Sequence, residues 1–290
     1  GLSRFAERFP ERFHDTGITE QHAVAMAGGM ASGGLKPVAA IYSTFLQRGY
    51  DQVFQEVALQ RAPVVFALDR GGLVGQDGPT HMGLYDLAYL RPLTGFVLAS
   101  PRDGTDLRRM LDAAIAASDG PWALRWPRGD AADAIGSAPE DRPAMLPGTA
   151  ERLLRGGDGC VLALGAMVEP ALEAARIARE AHELYLEVWD ARFCKPLDAR
   201  MLEEVSARFG WVATVEEHGL QGGFGSAVAE WMADHRRRPA LSRHGVGDLF
   251  MPHMSTREEQ LAVCGLDPAA LAAAWASDLA RLRSESDQPR

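Results

Sequence analysis

The stretch PVVFALDRGGLVGQDGPTHMG, residues 63–83, opens on an unbroken apolar run and ends in a glycine-laden loop. Val64, Val65, Phe66, Ala67 and Leu68 make a run of strand length with no polar alternation. That pattern suits a strand covered on both faces, as in a parallel sheet between helices. Runs of the same texture lie around it: KPVAAIYST at 36–44, GFVLASP at 95–101 and PWALRWP at 121–127. Between the last two, TDLRRMLDAAIAAS (105–118) reads as a helix with Leu107, Met110, Leu111 and Ile115 on one stripe, capped by Thr105 or Asp103.

The texture changes at 129–159, GDAADAIGSAPEDRPAMLPGTAERLLRGGDG, where only the surroundings of Leu153 and Leu154 suit a strand, so this segment reads as a linker. Beyond it the alternation resumes. CVLALGA, LYLEVWDARF, WVATVEEHG and LSRHGVG read as strands, and MVEPALEAARIAREA, LDARMLEEVSARF, GSAVAEWMADH and DPAALAAAWASDLARLRSE as helices. The expected fold is two consecutive three-layer α/β/α domains, 1–142 and 143–290.

The chain has 290 residues, 47% of them hydrophobic and 24% charged, with a net charge of −9. That acidity excludes a general nucleic-acid grip, which needs a basic stripe, and leaves recognition of anionic substrates to local arginines. Cys160, Cys194 and Cys264 show neither CxxC nor Cys/His ligand spacing, which predicts no disulfide framework or zinc site and fits a reducing, cytoplasmic setting. No run approaches the length of a membrane span, and the first residues lack the apolar core of a signal peptide. The chain starts without Met, and an upstream partner segment is expected to be missing.

In open α/β sheets ligands meet the carboxyl ends of strands, which directs attention to four stretches. In DTGITEQHAVAMAGGM (15–30), Glu20 follows a strand-like RFHD and opens a helix of small residues suited to close backbone packing. An acidic first turn capped by Thr16 or Thr19 accounts for Glu20 as ordinary helix-start chemistry; burial on such a helix would give it a need for a partner. In AIYSTFLQRGYDQ (40–52) a strand ends at Tyr42 and Ser43 and a helix follows, on which Phe45, Arg48 and Tyr50 also read as packing or solvated helix faces. The loop 69–83 holds Arg70, Asp77 and His81 with almost no apolar material, and a loop of this length is functional, mobile or simply solvated. In RWPRGD, Arg128 lies just past a strand and is better placed for an anion than Arg125, which is expected to pair inside the sheet. GLQGGFGSA (219–227) lacks the GxGxxG order and reads as a tight strand-to-helix turn; Glu216, Glu217 and His218 before it read as an interface or structural cluster.

Together, GITEQHAVAMAGGMASGGLKPVAAIYSTFLQRGYDQV, FALDRGGLVGQDGPTHMG, RWPRGD and DARFCKPLD resemble the C-terminal part of the 1-deoxy-D-xylulose-5-phosphate synthase family, in the transketolase superfamily. The likeness covers essentially the whole chain, and the pairing of YSTFLQR with DGPTH is specific to that family. The resemblance implies a thiamine-diphosphate pyrimidine-binding domain followed by a transketolase C-terminal-like domain. It also implies thiamine diphosphate as cofactor, with the Mg²⁺ ligands on a preceding diphosphate-binding domain, whose GDG-plus-Asn motif this sequence does not contain. Matching residues imply that Glu20 activates the cofactor by bonding its pyrimidine nitrogen, that Phe45 stacks on the aminopyrimidine and that Ile18 abuts it. Tyr42, Arg48, Arg70, Asp77, His81 and Arg128 fall on substrate-side positions: Arg48 and Arg128 suit a phosphate, His81 and Asp77 proton handling, and Arg70 a carboxylate or hydroxyl.

The reaction implied joins pyruvate, with loss of carbon dioxide, to D-glyceraldehyde 3-phosphate, giving 1-deoxy-D-xylulose 5-phosphate, the first step of the non-mevalonate route to isoprenoid precursors. The implied partners are the N-terminal diphosphate-binding domain and a second copy in a homodimer, with no nucleic acid or membrane. Two alternatives stand beside this reading: the β subunit of a 2-oxo acid dehydrogenase E1 component, and a noncatalytic pairing module of the same fold. Arg48 and Arg128 count against the first, and the joint presence of Glu20, Phe45, Arg48 and His81 against the second.

Overall fold

The computed structural model describes residues 2–131, 134–136, 138–237 and 239–286. Residues 132, 133 and 137 of the expected linker lie outside the described residues. The apolar runs of the first half form β1 (Val38–Tyr42), β2 (Val65–Asp69), β3 (Val97–Ala99) and β4 (Trp122–Arg125), all parallel in the order β1-β2-β4-β3. Around them stand α1 (Ser3–Arg8), α2 (Glu20–Ser32), α3 (Ser43–Leu46), α4 (Tyr50–Gln52), α5 (Asp86–Leu90) and α6 (Gly104–Ala116). The second sheet has β5 (Glu151–Leu154), β6 (Gly159–Ala163), β7 (Leu186–Asp190), β9 (Trp211–Gly219) and β10 (Ala240–Val246), in the order β10-β9-β6-β7-β5. Only the edge strand β5, the strand expected at Leu153 and Leu154, runs antiparallel to its neighbour in that sheet. Its helices are α7 (Val168–His182), α8 (Ala199–Arg208), α9 (Phe224–Asp234), α10 (Arg257–Val263) and α11 (Pro268–Ser286).

One strand crosses between the halves. β8 (Phe193–Lys195), far along the chain, pairs antiparallel with β3 and becomes the fifth strand of the first sheet. The junction is also tied by charge. Arg142 donates to Asp103 and Asp106, each at 2.7 Å, while Arg102 donates to Glu151 at 2.9 Å and Asp190 at 3.1 Å. All of these groups are buried, and such networks define one arrangement more than they add stability. Burial pushes Asp190 up to about 7 against the pull of Arg102 and Arg192.

The small residues of α2 do what their size permits. A Cβ on Gly28 would come within 2.9 Å of the Glu56 carbonyl oxygen, so α2 and the π-helical stretch Val53–Ala58 approach backbone to backbone. One open choice is settled and two local expectations change. Asp103, not Thr105, caps α6 by accepting from the Asp106 amide at 2.9 Å. The buried face of α6 carries Asp106, Met110 and Ala114, while Ile115 is 38% exposed, because the ionic network draws the start of the helix toward Arg142. RFHD is no strand: a 3-10 turn at Pro10–Arg12 leads into irregular chain whose side chains have no sheet to join. Among the described residues no helix is long and apolar enough to cross a membrane.

Candidate active site

The predicted site residues gather at the carboxyl ends of β1, β2 and β4, in three groups. The first is built on α2. Glu20 is buried at the first position of the helix, where Gly49 allows the neighbouring turn to approach its backbone. Thr19 occupies the N-cap position but does not cap; its hydroxyl donates to the Thr16 carbonyl at 2.6 Å. Glu20 Oε2 lies 3.4 Å from Arg48 Nε yet accepts no hydrogen bond. A buried carboxylate oxygen in that condition is costly unless a further donor arrives. Arg48 itself is 57% exposed along its side chain.

The second group is aromatic. Tyr42 and Phe45 are half-buried and stacked, with centroids 5.6 Å apart and planes 14° from parallel. The edge of His81 meets Phe45 at 5.3 Å, and the Arg70 guanidinium sits 4.0 Å over the Tyr42 ring. Arg70 has a φ of 57°, a left-handed conformation that costs a residue with a side chain, and is held by Asp69, whose carboxylate accepts from its amide at 2.7 Å and from its guanidinium. Gly83 is required beside it, since a Cβ there would stand 2.2 Å from the Arg70 carbonyl oxygen. Thr80 accepts from or donates to His81 Nδ1 at 2.9 Å, while the Thr44 hydroxyl donates to the Thr80 carbonyl at 3.3 Å.

In the third group Arg128 Nη1 pairs with Asp77 at 3.0 Å and donates to the Val74 carbonyl at 3.3 Å. Ile18 is joined to none of these groups and is 84% exposed on the approach to α2. Among the described residues no group of three or more His, Cys, Asp or Glu side chains is arranged to hold a metal ion.

Of the readings left open for the loop 69–83, the simply solvated one does not hold. Leu73, Val74 and Met82 are buried, and Gly75–Asp77 and Pro79–His81 form 3-10 turns. The reason lies in the second domain, where Glu217 accepts from the Leu73 amide at 2.9 Å and is itself clamped by Arg257 at 2.8 and 2.5 Å. Gln260 and His253 also reach the loop. Sequence reading flagged Glu217 only as part of a cluster and missed Arg257 and Gln260. The signal available was the Thr256–Glu259 capping box that starts α10.

Arg125, expected to pair inside the sheet, instead ties the domains together. Its guanidinium donates to Asp86 at 2.8 Å and to the carbonyls of Gly83 and Glu217 at 3.0 and 3.1 Å. His218 lies beside Asp86 at 3.5 Å, and burial drives the imidazole down to about 4. The glycine turn before α9 serves no external anion. Glu216 occupies that helix start, accepting from the Phe224 and Gly225 amides at 2.6 and 2.7 Å, and burial outweighs those bonds to lift it to about 7.

Residues 1–132 match the pyrimidine binding domain of transketolase and residues 148–271 the transketolase C-terminal domain. The chain is 50% identical to 1-deoxy-D-xylulose-5-phosphate synthase 1 of Geobacter sulfurreducens over 97% of its own length and 43% of the relative's. It is 50% identical to the 1-deoxy-D-xylulose-5-phosphate synthase of Thermomicrobium roseum over 88% of its length and 40% of the relative's. It thus spans under half the length of the curated relatives it matches. A solved structure described as a split gene transketolase, inactive beta4 tetramer, superposes with a TM-score of 0.85 at 31% identity, over 95% of this chain and 87% of that one. A transketolase from Pichia stipitis, solved with sedoheptulose 7-phosphate, shares the fold at a TM-score of 0.76 and 20% identity, over 92% of this chain and 38% of that one. The chain belongs to the transketolase family, carrying its pyrimidine-binding and C-terminal domains, with a sequence like that of 1-deoxy-D-xylulose-5-phosphate synthases.

Proposed function

We propose that this chain, pyrimidine-binding domain at 1–142 and C-terminal domain at 143–290, forms part of a 1-deoxy-D-xylulose-5-phosphate synthase. In this reading pyruvate loses carbon dioxide and its remaining two carbons join D-glyceraldehyde 3-phosphate. The observation that carries it is Glu20 Oε2, buried, without a hydrogen-bond partner and 3.4 Å from Arg48, which follows the stacked Tyr42 and Phe45 in the chain. That orphaned oxygen and that flat apolar face fit the nitrogen edge and ring face of an aminopyrimidine. When bound, thiamine diphosphate supplies a nucleophilic carbon and an electron sink for decarboxylation.

Glu20 holds a proton at the pyrimidine nitrogen, and Arg48, at 3.4 Å, keeps its carboxylate oriented. Phe45 offers the stacking face, and Ile18, exposed at the mouth, closes over the ring. Arg128 and Arg48 take the phosphate of the aldehyde, each through guanidinium nitrogens beyond those now engaged. His81, free at Nε2 and edge-on to Phe45, moves a proton at the aldehyde oxygen, with Asp77 orienting the same region. Arg70, held over Tyr42, meets the pyruvate carboxylate. Magnesium and the diphosphate fall to a diphosphate-binding domain, which activity requires, and a homodimer in the cytoplasm is the expected assembly.

The test is an assay of the chain combined with the diphosphate-binding domain of a relative, supplied with thiamine diphosphate, Mg²⁺, pyruvate and D-glyceraldehyde 3-phosphate. Carbon dioxide and 1-deoxy-D-xylulose 5-phosphate are expected. Acetylation of a lipoyl domain with no deoxyxylulose phosphate would point to a 2-oxo acid dehydrogenase instead and refute the proposal.

A further inference from the structure

The loop that carries Asp77 and His81 turns at Gly75, whose φ of 62° is left-handed. Both backbone groups of Gly75 are gripped by one side chain of the other domain. Gln260, fully buried on α10, accepts from the Gly75 amide at 2.8 Å and donates through Nε2 to the Gly75 carbonyl at 3.2 Å. The same amide nitrogen donates to the Pro252 carbonyl at 2.9 Å. The Met254 amide adds a bond to the Gly75 carbonyl at 3.4 Å, and a Cβ at Gly75 would stand 3.0 Å from the Thr256 carbonyl carbon. One turn further on, the His253 ring fills the space a Gly78 side chain would need, 2.0 Å from its ideal Cβ.

From this grip the geometry of the site follows. Gly75 starts the 3-10 turn that ends at Asp77, closed by the Gly78 amide donating to the Gly75 carbonyl at 3.3 Å. Asp77 then faces Arg128, and the His81 amide donates to Gly78 at 3.1 Å to begin the next turn. We propose that Gln260 is a positioning residue: from the second domain it sets the turn at Gly75 and thereby the presentation of Asp77 and His81 to the substrate. An amide side chain suits the task, since it offers one acceptor and two donors to a backbone unit that presents a donor and an acceptor. The inference rests on the proposed reaction for its kinetic consequence, though not for the grip itself.

Amide hydrogen exchange on the 290-residue chain reads the grip. In the unsubstituted chain the Gly75 amide is expected to exchange more slowly than that of exposed Thr80 in the same loop, and the reverse order would overturn the proposal without any variant. Gln260→Met removes the polar end at similar length, and should speed Gly75 exchange by on the order of tenfold or more while β9 keeps its protection. Gln260→Glu retains an acceptor oxygen and should restore part of that protection. Equal loosening of Gly75 and β9 would mark a general loss of stability and sink the idea.

In the assembly with a diphosphate-binding domain, Gln260→Met should lower kcat/KM for the aldehyde phosphate roughly tenfold and leave decarboxylation of pyruvate alone nearly unchanged. Unaltered kinetics with a loosened turn would refute the positioning role and leave the reaction standing. Absence of turnover in the unsubstituted assembly would refute the reaction, and the exchange data would still decide whether Gln260 sets the turn.

Discussion

Arg125 and Arg128 leave the same strand within one short stretch and meet opposite surroundings. Arg125 is 6% exposed and spends its donors on Asp86 and two carbonyls at the domain junction. Arg128 has a side chain 36% exposed and holds Asp77 and one carbonyl at the open end of the sheet. The residue type is the same, so the difference is set by water and by how many partners are fixed. A guanidinium whose partners are buried and complete has nothing left for a ligand. One that faces solvent with nitrogens to spare can exchange partners at low cost. Glu20 stands between the two: buried like Arg125, yet underpaired like the open-end charges.

That contrast can be broken most decisively at Glu20. Glu20→Ala should reduce turnover of the assembled enzyme by on the order of 10³-fold. Near wild-type turnover would remove Glu20 from the chemistry. The chain's urea unfolding midpoint should change little, because the lost oxygen has no hydrogen bond to forfeit.

Next in size is Arg125→Met, which strands Asp86 as an unpaired buried charge and should cost about 3–5 kcal/mol of stability. A loss under about 1 kcal/mol by urea titration would mean that water reaches the junction and that the contrast is overdrawn. Arg128→Ala should leave stability within about 1 kcal/mol and raise KM for the phosphorylated aldehyde roughly tenfold more than that for pyruvate. Equal effects on both substrates would count against phosphate recognition.

The smallest effect is in pH. His218 titrates near 4 when folded against an ordinary 6.5, so the folded state binds fewer protons between those values, and stability falls as pH drops through that window. Glu216, lifted from 4.5 to about 7, acts in the opposite sense: its contribution is whole at low pH and is lost as pH rises through 7. His218→Gln should take up to about one proton's slope out of the acid limb of a stability-against-pH curve, between 4 and 6.5, and leave the opposing slope of Glu216, between 4.5 and about 7, in place. An unchanged acid limb would show that His218 is hydrated.

The strands were legible because fully buried strands must be apolar along their whole length, and Val64 to Leu68 carry that demand openly. Glu20, Phe45, Arg70 and His81 were readable as a set because their motifs resemble a family, and the structure lines up Arg70 on Tyr42, Tyr42 on Phe45 and Phe45 against His81. What failed was anything set from far along the chain. The order in residues 71–83 comes from Glu217 and Gln260, and neither separation is visible in local composition. Arg125 likewise looked like an in-sheet charge because its carbonyl partner at Glu217 lies in the other domain. Ile115 looked like core because periodicity alone cannot register the pull of Arg142 on the first turn of its helix.

The strand exchanged between the halves carries a consequence for how the chain is made. β3 has a bare edge until Phe193–Lys195 has been synthesised and docked, so the first sheet is finished only after β5, β6, α7 and β7 of the second domain have been made. During that interval the unpaired N–H and C=O groups of β3 are open to adventitious pairing, the hazard of any uncovered sheet edge. Cutting the gene at the apparent domain boundary would make the interval permanent. The two halves of this molecule are thus separable in sequence and not in assembly, and β8 guards against aggregation as much as it joins the architecture.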